Sequence, residues 1–332
     1  MTLVQETSTA IAVADLELQL EQHRRELTGF CYRMLGSPFE AEDAVQETLL
    51  RAWRGMDRFE GRAAVRSWLY RIATNVCIDM GRSTARRALP MDLGPARAPV
   101  VENLTTLPEA TWIQPIPTSA LTAAADPAEV VVAHETVRLA FIVALQRLPA
   151  RQRAVLILCE VLRWKATEVA ELLDTSVAAV NSALQRARAT LEAGGLGADD
   201  TDPSIDDTQS ELLRRYVDAF QSYDLARLTS LIAEDARQSM PPFDLWLAGR
   251  EDIFAWWFGP GISCSGSRLI PTVGANGTVA FGQYKPSVTG AGFEPWALQV
   301  LELKGGLIVD FTFFLDTEAL FPLFGLPPRL DQ

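Results

Sequence analysis

Few side chains in this chain of 332 residues are placed to do covalent chemistry. His23 and His134 are its only histidines, and Cys31, Cys77, Cys159 and Cys264 lie far apart with no CxxC spacing. A zinc centre needs clustered nitrogen and sulfur ligands, so no metal is expected, and the thiols read as buried and reduced. Proton transfer is the chemistry that remains. In the last third, Asp244, Tyr284, Glu294 and Asp310 sit among aromatic and aliphatic residues. Burial there would raise a carboxyl toward the range of a general base. No histidine of that third could partner them, which favours binding or sensing over turnover. The chain is therefore not expected to be an enzyme, and no cofactor is expected.

A second chemistry is the reading of base edges. Over 166–191, two helical patterns flank the turn Asp174-Thr175-Ser176. Val177, Val180, Leu184 and Ala187 form the expected buried side of the second helix. That leaves Thr175, Ser176, Asn181 and Gln185 for a major groove, with Arg186 and Arg188 placed to meet phosphates. An ordinary helical hairpin is the competing reading.

A third set is the outer face of an amphipathic segment after Pro38. Ala41, Val45, Leu49 and Trp53 repeat every four residues as an apolar stripe, while Asp43, Gln46, Glu47, Leu50 and Arg51 lie outside it.

These groups must be positioned by separate bodies. Helical patterns fill about 15–87, with a third helix over 65–82 whose Trp68, Leu69, Ile72, Val76 and Ile78 face inward. From 88 to 126 the prolines at 90, 95, 99, 108, 115 and 117 end all periodicity, and the segment reads as a linker. Helices return over 127–193. A glycine and aspartate run marks a second linker at 194–207. The block 208–332 opens with helices to about 233. Strand-like segments then follow at 267–273, 277–284, 296–303 and 307–315, with Gly305-Gly306 as a hairpin signal. This is an α+β domain with a curved antiparallel sheet.

The formal charge of −12 is uneven. Residues 1–87 carry 12 basic against 12 acidic side chains, 127–196 carry 8 against 7, and 197–332 carry 9 against 19. Neither helical block is basic enough to bind DNA strongly alone, so a larger partner must supply most phosphate contacts. No apolar run spans a bilayer, and residues 1–14 read as a short lead rather than a secretion signal, so no membrane role and a cytoplasmic location are expected.

The run DAVQETLLRAWR at 43–54, then Asp57-Arg58-Phe59 and SWLYRIATN at 67–75, resembles domain two of extracytoplasmic-function sigma factors. LQRLPARQRAVLIL at 145–158 and the helix–turn–helix resemble domain four. The resemblance implies a multidomain fold with two all-α sigma domains, and RNA polymerase core and promoter DNA as partners. It puts Asp43, Gln46, Glu47, Leu50 and Arg51 on the clamp helices of the largest polymerase subunit. Phe59, Gly61, Arg62 and Ala63 would frame a pocket for a flipped base of the minus-ten element. Arg66, Arg71, Asn75 and Arg82 would lie on or near the strand path, with Trp68 read as core rather than a base wedge. The helix–turn–helix would read the minus-thirty-five element, although Asn181 and Ala183 stand where many family members carry Lys and Arg. An anti-sigma partner is compatible with this reading.

The last block, through RRYVDAFQSYDLARLTSLIAEDA at 214–236, MPPFDLWLAGREDI at 240–253 and ALQVLELKGGLIVDFTFFLD at 297–316, resembles the SnoaL-like family. That resemblance implies a cone of helices on a bent sheet around an apolar cavity, with a small apolar ligand as a further partner. Met240, Trp246, Trp256 and Tyr284 are candidate pocket residues, as are Trp296, Asp310 and Phe313. Core packing is the competing role for each. The domain would modulate the sigma domains by intramolecular contact or ligand sensing. A small-molecule enzyme with a vestigial DNA-binding front, and a repressor using only the helix–turn–helix, are the alternatives.

Overall fold

The computed structural model describes residues 20–56, 65–82, 86–121, 136–193, 207–288 and 290–331. They fall into two compact units. One holds residues 20–56, 65–82, 120–121 and 144–193. The other holds 86–119, 136–143 and 207–331.

The first unit is helical. Helix α1 (Arg24–Leu35) ends where Gly36, at φ 75°, adopts the left-handed backbone and donates its N–H to Tyr32. Ser37 then caps α2 (Pro38–Gly55) by accepting from the Glu40 N–H, with Pro38 in the first turn, where a missing N–H costs nothing. The buried side of α2 is Ala41, Ala44, Val45, Thr48 and Ala52. The expected stripe through Leu49 and Trp53 is corrected here: Leu49 is only half-buried and Trp53 is 53% exposed, while Leu50, expected outside the stripe, is 47% exposed. A strict four-residue repeat drifts by about 40° per step, so by its third step Trp53 has rotated off the core side.

Helix α3 (Val65–Met80) buries Leu69, Tyr70, Ala73, Thr74, Val76 and Cys77. Trp68, Ile72 and Ile78, expected to face inward, are only half-buried. Thr48 and Thr74 tolerate burial because each hydroxyl donates to the carbonyl one turn back, at 2.6 Å and 2.7 Å.

Helix α4 (Leu139–Gln146) carries the chain from one unit into the other. Pro149 sets up α5 (Ala150–Leu156), which runs into a wide π turn at Ile157–Val161. Helices α6 (Ala166–Leu172) and α7 (Val177–Ala193) follow.

The second unit is built on a six-stranded sheet: β1 (Ile232–Ser239), β2 (Trp246–Ala248), β3 (Arg268–Pro271), β4 (Val279–Pro286), β5 (Phe293–Lys304) and β6 (Leu307–Phe314), in the order β2-β1-β6-β5-β4-β3. The sheet is mixed, because β1 pairs parallel to β6, which corrects the all-antiparallel expectation. The polar segment IAEDARQS of β1 carries no two-residue alternation. Its burial is irregular, and its register with β6 shifts between Ile232 and Arg237, so the sequence pattern showed no strand there. Gly305 and Gly306 make the expected hairpin, both at positive φ.

Helices α8 (Asp207–Ser222), α9 (Leu225–Thr229) and α10 (Arg250–Phe258) go with one face of the sheet. Between them the rings of Tyr216, Phe220, Trp257, Phe311 and Phe313 form one aromatic core. On the opposite face Phe321 of α11 (Thr317–Leu323) meets Tyr284 at 5.1 Å between ring centres.

The proline-rich stretch read as a linker is fastened to this unit along its length. Trp246 Nε1 donates to the Gly94 carbonyl at 2.8 Å, Arg97 pairs with Asp244, and Leu107 N–H reaches Pro242. Trp112, Ile113 and Ile116 are buried. Asn276, at φ 51°, is the main fastener: Oδ1 accepts from Ile116 N–H at 3.0 Å, and Nδ2 donates to the Val137 carbonyl at 2.6 Å. Asparagine tolerates the left-handed backbone and offers both a donor and an acceptor. We expect Asn276→Ala to cost about 2–4 kcal/mol, from buried partners left unsatisfied and a strained backbone. Limited proteolysis should then cut within 86–121, where the parent protein resists.

Candidate polymerase and nucleic-acid interface

The outer face of α2 brings the predicted set together. Asp43, Gln46, Leu50 and Arg51 are exposed and Glu47 is half-buried. Arg51 Nε bonds Glu47 at 2.6 Å, a surface pair worth little by itself. Gln46, Leu50 and Trp53 stand at i, i+4 and i+7 and share one side of the helix. Trp53 belongs to this face and was missed, since its place in a four-residue repeat had assigned it to the core.

On α3 the predicted strand-path residues divide. Arg71 and Asn75 are exposed on one side of the helix, and Arg82 is exposed in the turn that follows its end at Met80. Arg66 does not join them. It lies over the buried side, where its Nε bonds Glu26 at 2.8 Å and its guanidinium stacks on Tyr70 and Trp164, 5.4 Å and 5.3 Å from the ring centres. Phe59, Gly61, Arg62 and Ala63 lie outside the described residues.

Helices α6 and α7 form the helix–turn–helix. Asp174 takes φ 50° in the turn, and Ser176 caps α7 by accepting from the Ala179 N–H at 3.2 Å. Val180 and Ala187 face inward, and Thr175, Ser176, Asn181, Gln185, Arg186 and Arg188 are exposed. Val177 is corrected from core to surface at 38% exposure, because it opens the helix before the packed turn begins. Arg186 donates to Ser182 at 2.6 Å and Arg188 pairs with Glu160. The Arg188 cation is therefore partly neutralised within the protein.

The candidate pocket residues of the last block do not converge. Trp256 and Phe313 lie in the aromatic core on the helix side, with Met240 packed against it. Tyr284 and Asp310 are on the opposite face of the sheet, Trp246 stands on the edge strand β2, and Trp296 is 38% exposed beneath the Lys285 ammonium. The core spends its polar groups internally: Tyr216 Oη donates to Gln299, Gln299 to Gln283, Gln283 to Ser267, and Trp257 Nε1 to Gln238. Among the carboxylates weighed for proton transfer, Asp244 pairs with Arg97, Glu294 accepts from Ser287, and Asp310 pairs with Arg237 at 2.9 Å.

Asp310 and Glu302 are directly opposed across β5 and β6. Arg237 flanks the first, and Arg138 bonds the second at 3.2 Å. Burial pushes Glu302 up to about 7 and Asp310 up to about 6 against the pull of the two arginines, and for Glu302 the neighbouring Asp310 adds to the rise.

Three family models match in order: Sigma-70 region 2 over residues 20–87, Sigma-70 region 4 over 138–191, and a SnoaL-like domain over 213–311. The ECF RNA polymerase sigma factor SigG of Mycobacterium tuberculosis is 42% identical over 319 residues, covering 95% of this chain and 85% of that protein. The chain belongs to the ECF RNA polymerase sigma factors. SigJ of the same organism is 33% identical over 218 residues, 65% of this chain and 62% of that protein. The crystal structure of SigJ matches this fold with a TM-score of 0.59 at 23% identity, covering 95% of this chain and all of that one. In this sigma factor, then, α1–α3 are region 2, α4–α7 carry region 4, and the sheet unit is the SnoaL-like domain. Among the described residues no helix is long and apolar enough to cross a membrane.

The carboxyl pair makes this sigma factor's SnoaL-like unit sensitive to pH. Both groups titrate higher in the folded unit than in the unfolded chain, so the folded unit holds protons the unfolded chain has lost. The stability they contribute is present below about pH 4 and is lost as pH rises to about 7, on the order of 1–3 kcal/mol for each group. Glu302→Gln should flatten the loss of denaturant stability of this unit between pH 5 and 8, measured by near-ultraviolet dichroism. An unchanged slope would assign the dependence to other groups.

Proposed function

We propose that this sigma factor grips core polymerase through the outer face of α2, reads the minus-ten strand with the Arg71 and Asn75 side of α3 and with Arg82 beyond its end, and reads the minus-thirty-five element with the exposed face of α7. The observation that carries the reading is the side of α2 on which Leu50 and Trp53 stand half-exposed among Asp43, Gln46, Glu47 and Arg51. Large apolar groups ringed by charge are what a protein partner buries, and aromatic anchors of this kind dominate interface energies. The near-neutral charge of both sigma regions fits a factor whose hold on DNA depends on the polymerase.

On α7, Asn181 can present its amide to an adenine edge, and Val177 can meet a thymine methyl. Arg186 is the cation available to a phosphate, while Arg188 must first leave Glu160.

The SnoaL-like unit modulates these regions by holding their connection. It fastens residues 86–119 and 136–143, which include both flanks of the stretch between regions 2 and 4. Released, the roughly 60 residues from 83 to 143 could extend to about 200 Å. Fastened, they cannot. A ligand or protein that prefers one state would shift the balance by its differential affinity alone.

Leu50→Asp and Trp53→Ala should each weaken core polymerase binding about 10- to 100-fold with little change in melting temperature, read by fluorescence anisotropy with the labelled full chain. Wild-type affinity in both variants would remove α2 as the docking face. Asn181→Ala should lower transcription from a cognate promoter about tenfold and leave core binding unchanged.

A further inference from the structure

A single carboxylate of region 4 holds two guanidiniums. Glu160 stands in the wide π turn Ile157–Val161, which the Leu162 N–H closes on the Ile157 carbonyl at 2.9 Å. π turns of this kind recur at functional positions in helices. Oε1 of Glu160 accepts from Arg188 of α7. Its Oε2 lies 3.8 Å from Arg163, whose left-handed backbone at φ 58° follows directly on the turn. Both arginines are exposed and Glu160 is partly so.

The place of Arg188 on α7 gives the cluster its meaning. With about 100° of rotation per residue, Asn181, Gln185 and Arg188 stand at i, i+4 and i+7 and form one exposed stripe. Arg186 is turned about 140° from Asn181 on the same count. The stripe that can present Asn181 to a base edge therefore ends in a cation, and that cation is already bonded to a carboxylate. Arg186, by contrast, donates to the neutral Ser182 hydroxyl at 2.6 Å and keeps its charge.

A phosphate approaching Arg188 meets a charge of its own sign on the same guanidinium. Two anions there repel, so the phosphate must displace Glu160 or share the cation with it. An arginine neutralised inside the protein also releases no counterion from DNA, and so adds nothing to the salt-dependent part of binding. Residues 127–196 carry only 8 basic against 7 acidic side chains, so the loss of one cation from the reading side weighs heavily.

Resting on the reading of α7 as the recognition helix, we propose that Glu160 is an internal stand-in for a DNA phosphate. It occupies Arg188 and keeps the hold of region 4 on the minus-thirty-five element weak, so that engagement depends on the polymerase. Glu160 touches no base. It sets affinity through Arg188, while Arg163 steadies it from the other side.

The test uses holoenzyme assembled from the full chain and core polymerase, with a duplex selected from random sequence by the parent holoenzyme. Affinity is read by filter retention between about 50 and 200 mM potassium chloride. Glu160→Gln should tighten binding about five- to tenfold at the low-salt end and steepen the slope of log affinity against log salt by about one. Adding Arg188→Gln should abolish the gain. Glu171→Gln removes an equal charge from an exposed site on α6 and should change affinity less than about twofold. Unchanged binding in Glu160→Gln, with the parent's melting temperature, would overturn the proposal. Weaker binding with a shallower slope would also overturn it, making Glu160 a support that aims Arg188 at DNA. Should Glu160→Gln melt early, Glu160→Asp keeps the charge but shortens the arm, and an absence of any gain there counts equally against the idea. Parent affinity in Asn181→Ala would instead sink the reading of α7 as the recognition helix.

Discussion

A backbone amide buried without a partner is costly, and the stretch from 86 to 121 supplies only some of its own partners, through short turns and the pairing of Ala88 with Trp112. Proline removes donors at six places between 90 and 117, and no helix longer than one short turn forms there. Further carbonyls and amides are satisfied by groups of the SnoaL-like unit: the β2 edge at Trp246, the Pro241-Pro242 turn, and Asn276. The arrangement of the second unit depends on that exchange. Without it Trp112, Ile113 and Ile116 would be apolar side chains on a solvated tether rather than part of a core. The SnoaL-like fold thus acts here as a frame on which another stretch of chain is ordered.

The same economy explains the interior of the cone. In a fold that can enclose a ligand, Tyr216, Gln299, Gln283 and Ser267 form a chain in which each donor meets an acceptor. Around it Phe220, Trp257 and Phe311 pack edge to face. The helix side of the sheet is spent on stability. The chemistry with unmet tension sits on the other side, where two carboxyls face each other across a ladder and depend on arginines from different parts of the chain.

Much of this was legible in the sequence. Gly36-Ser37-Pro38 encoded a helix stop, a cap and a helix start in three residues, and the turn at Asp174-Thr175-Ser176 placed the recognition helix to within a residue. The strands from β3 to β6 were readable because Val, Phe, Tyr and Trp run between glycines. What was not legible had physical causes. The fastening of 86–121 depends on partners more than 100 residues away, and proline content alone cannot distinguish a free tether from one held by its neighbours. The strand β1 was hidden because a bulge breaks its alternation. The pocket residues were grouped by side-chain type, whereas the pleat sends Asp310 and Phe313 to opposite sides of one strand. Arg66 looked like its neighbours Arg71 and Asn75 until the helical turn separated them.

The half-exposed indole of Trp53 and the neighbouring Leu50 have a consequence for the protein while it waits unbound. Adhesive side chains on an exposed helix face invite self-association, and the longer the protein goes without its partner the greater that hazard. The surplus of acidic groups in the last third supplies long-range repulsion between copies. The acidity of the C-terminal block is in these terms a colloidal safeguard for the exposed apolar side of α2. The two features would be expected to vary together: relatives with a less greasy α2 could dispense with so strongly charged a tail.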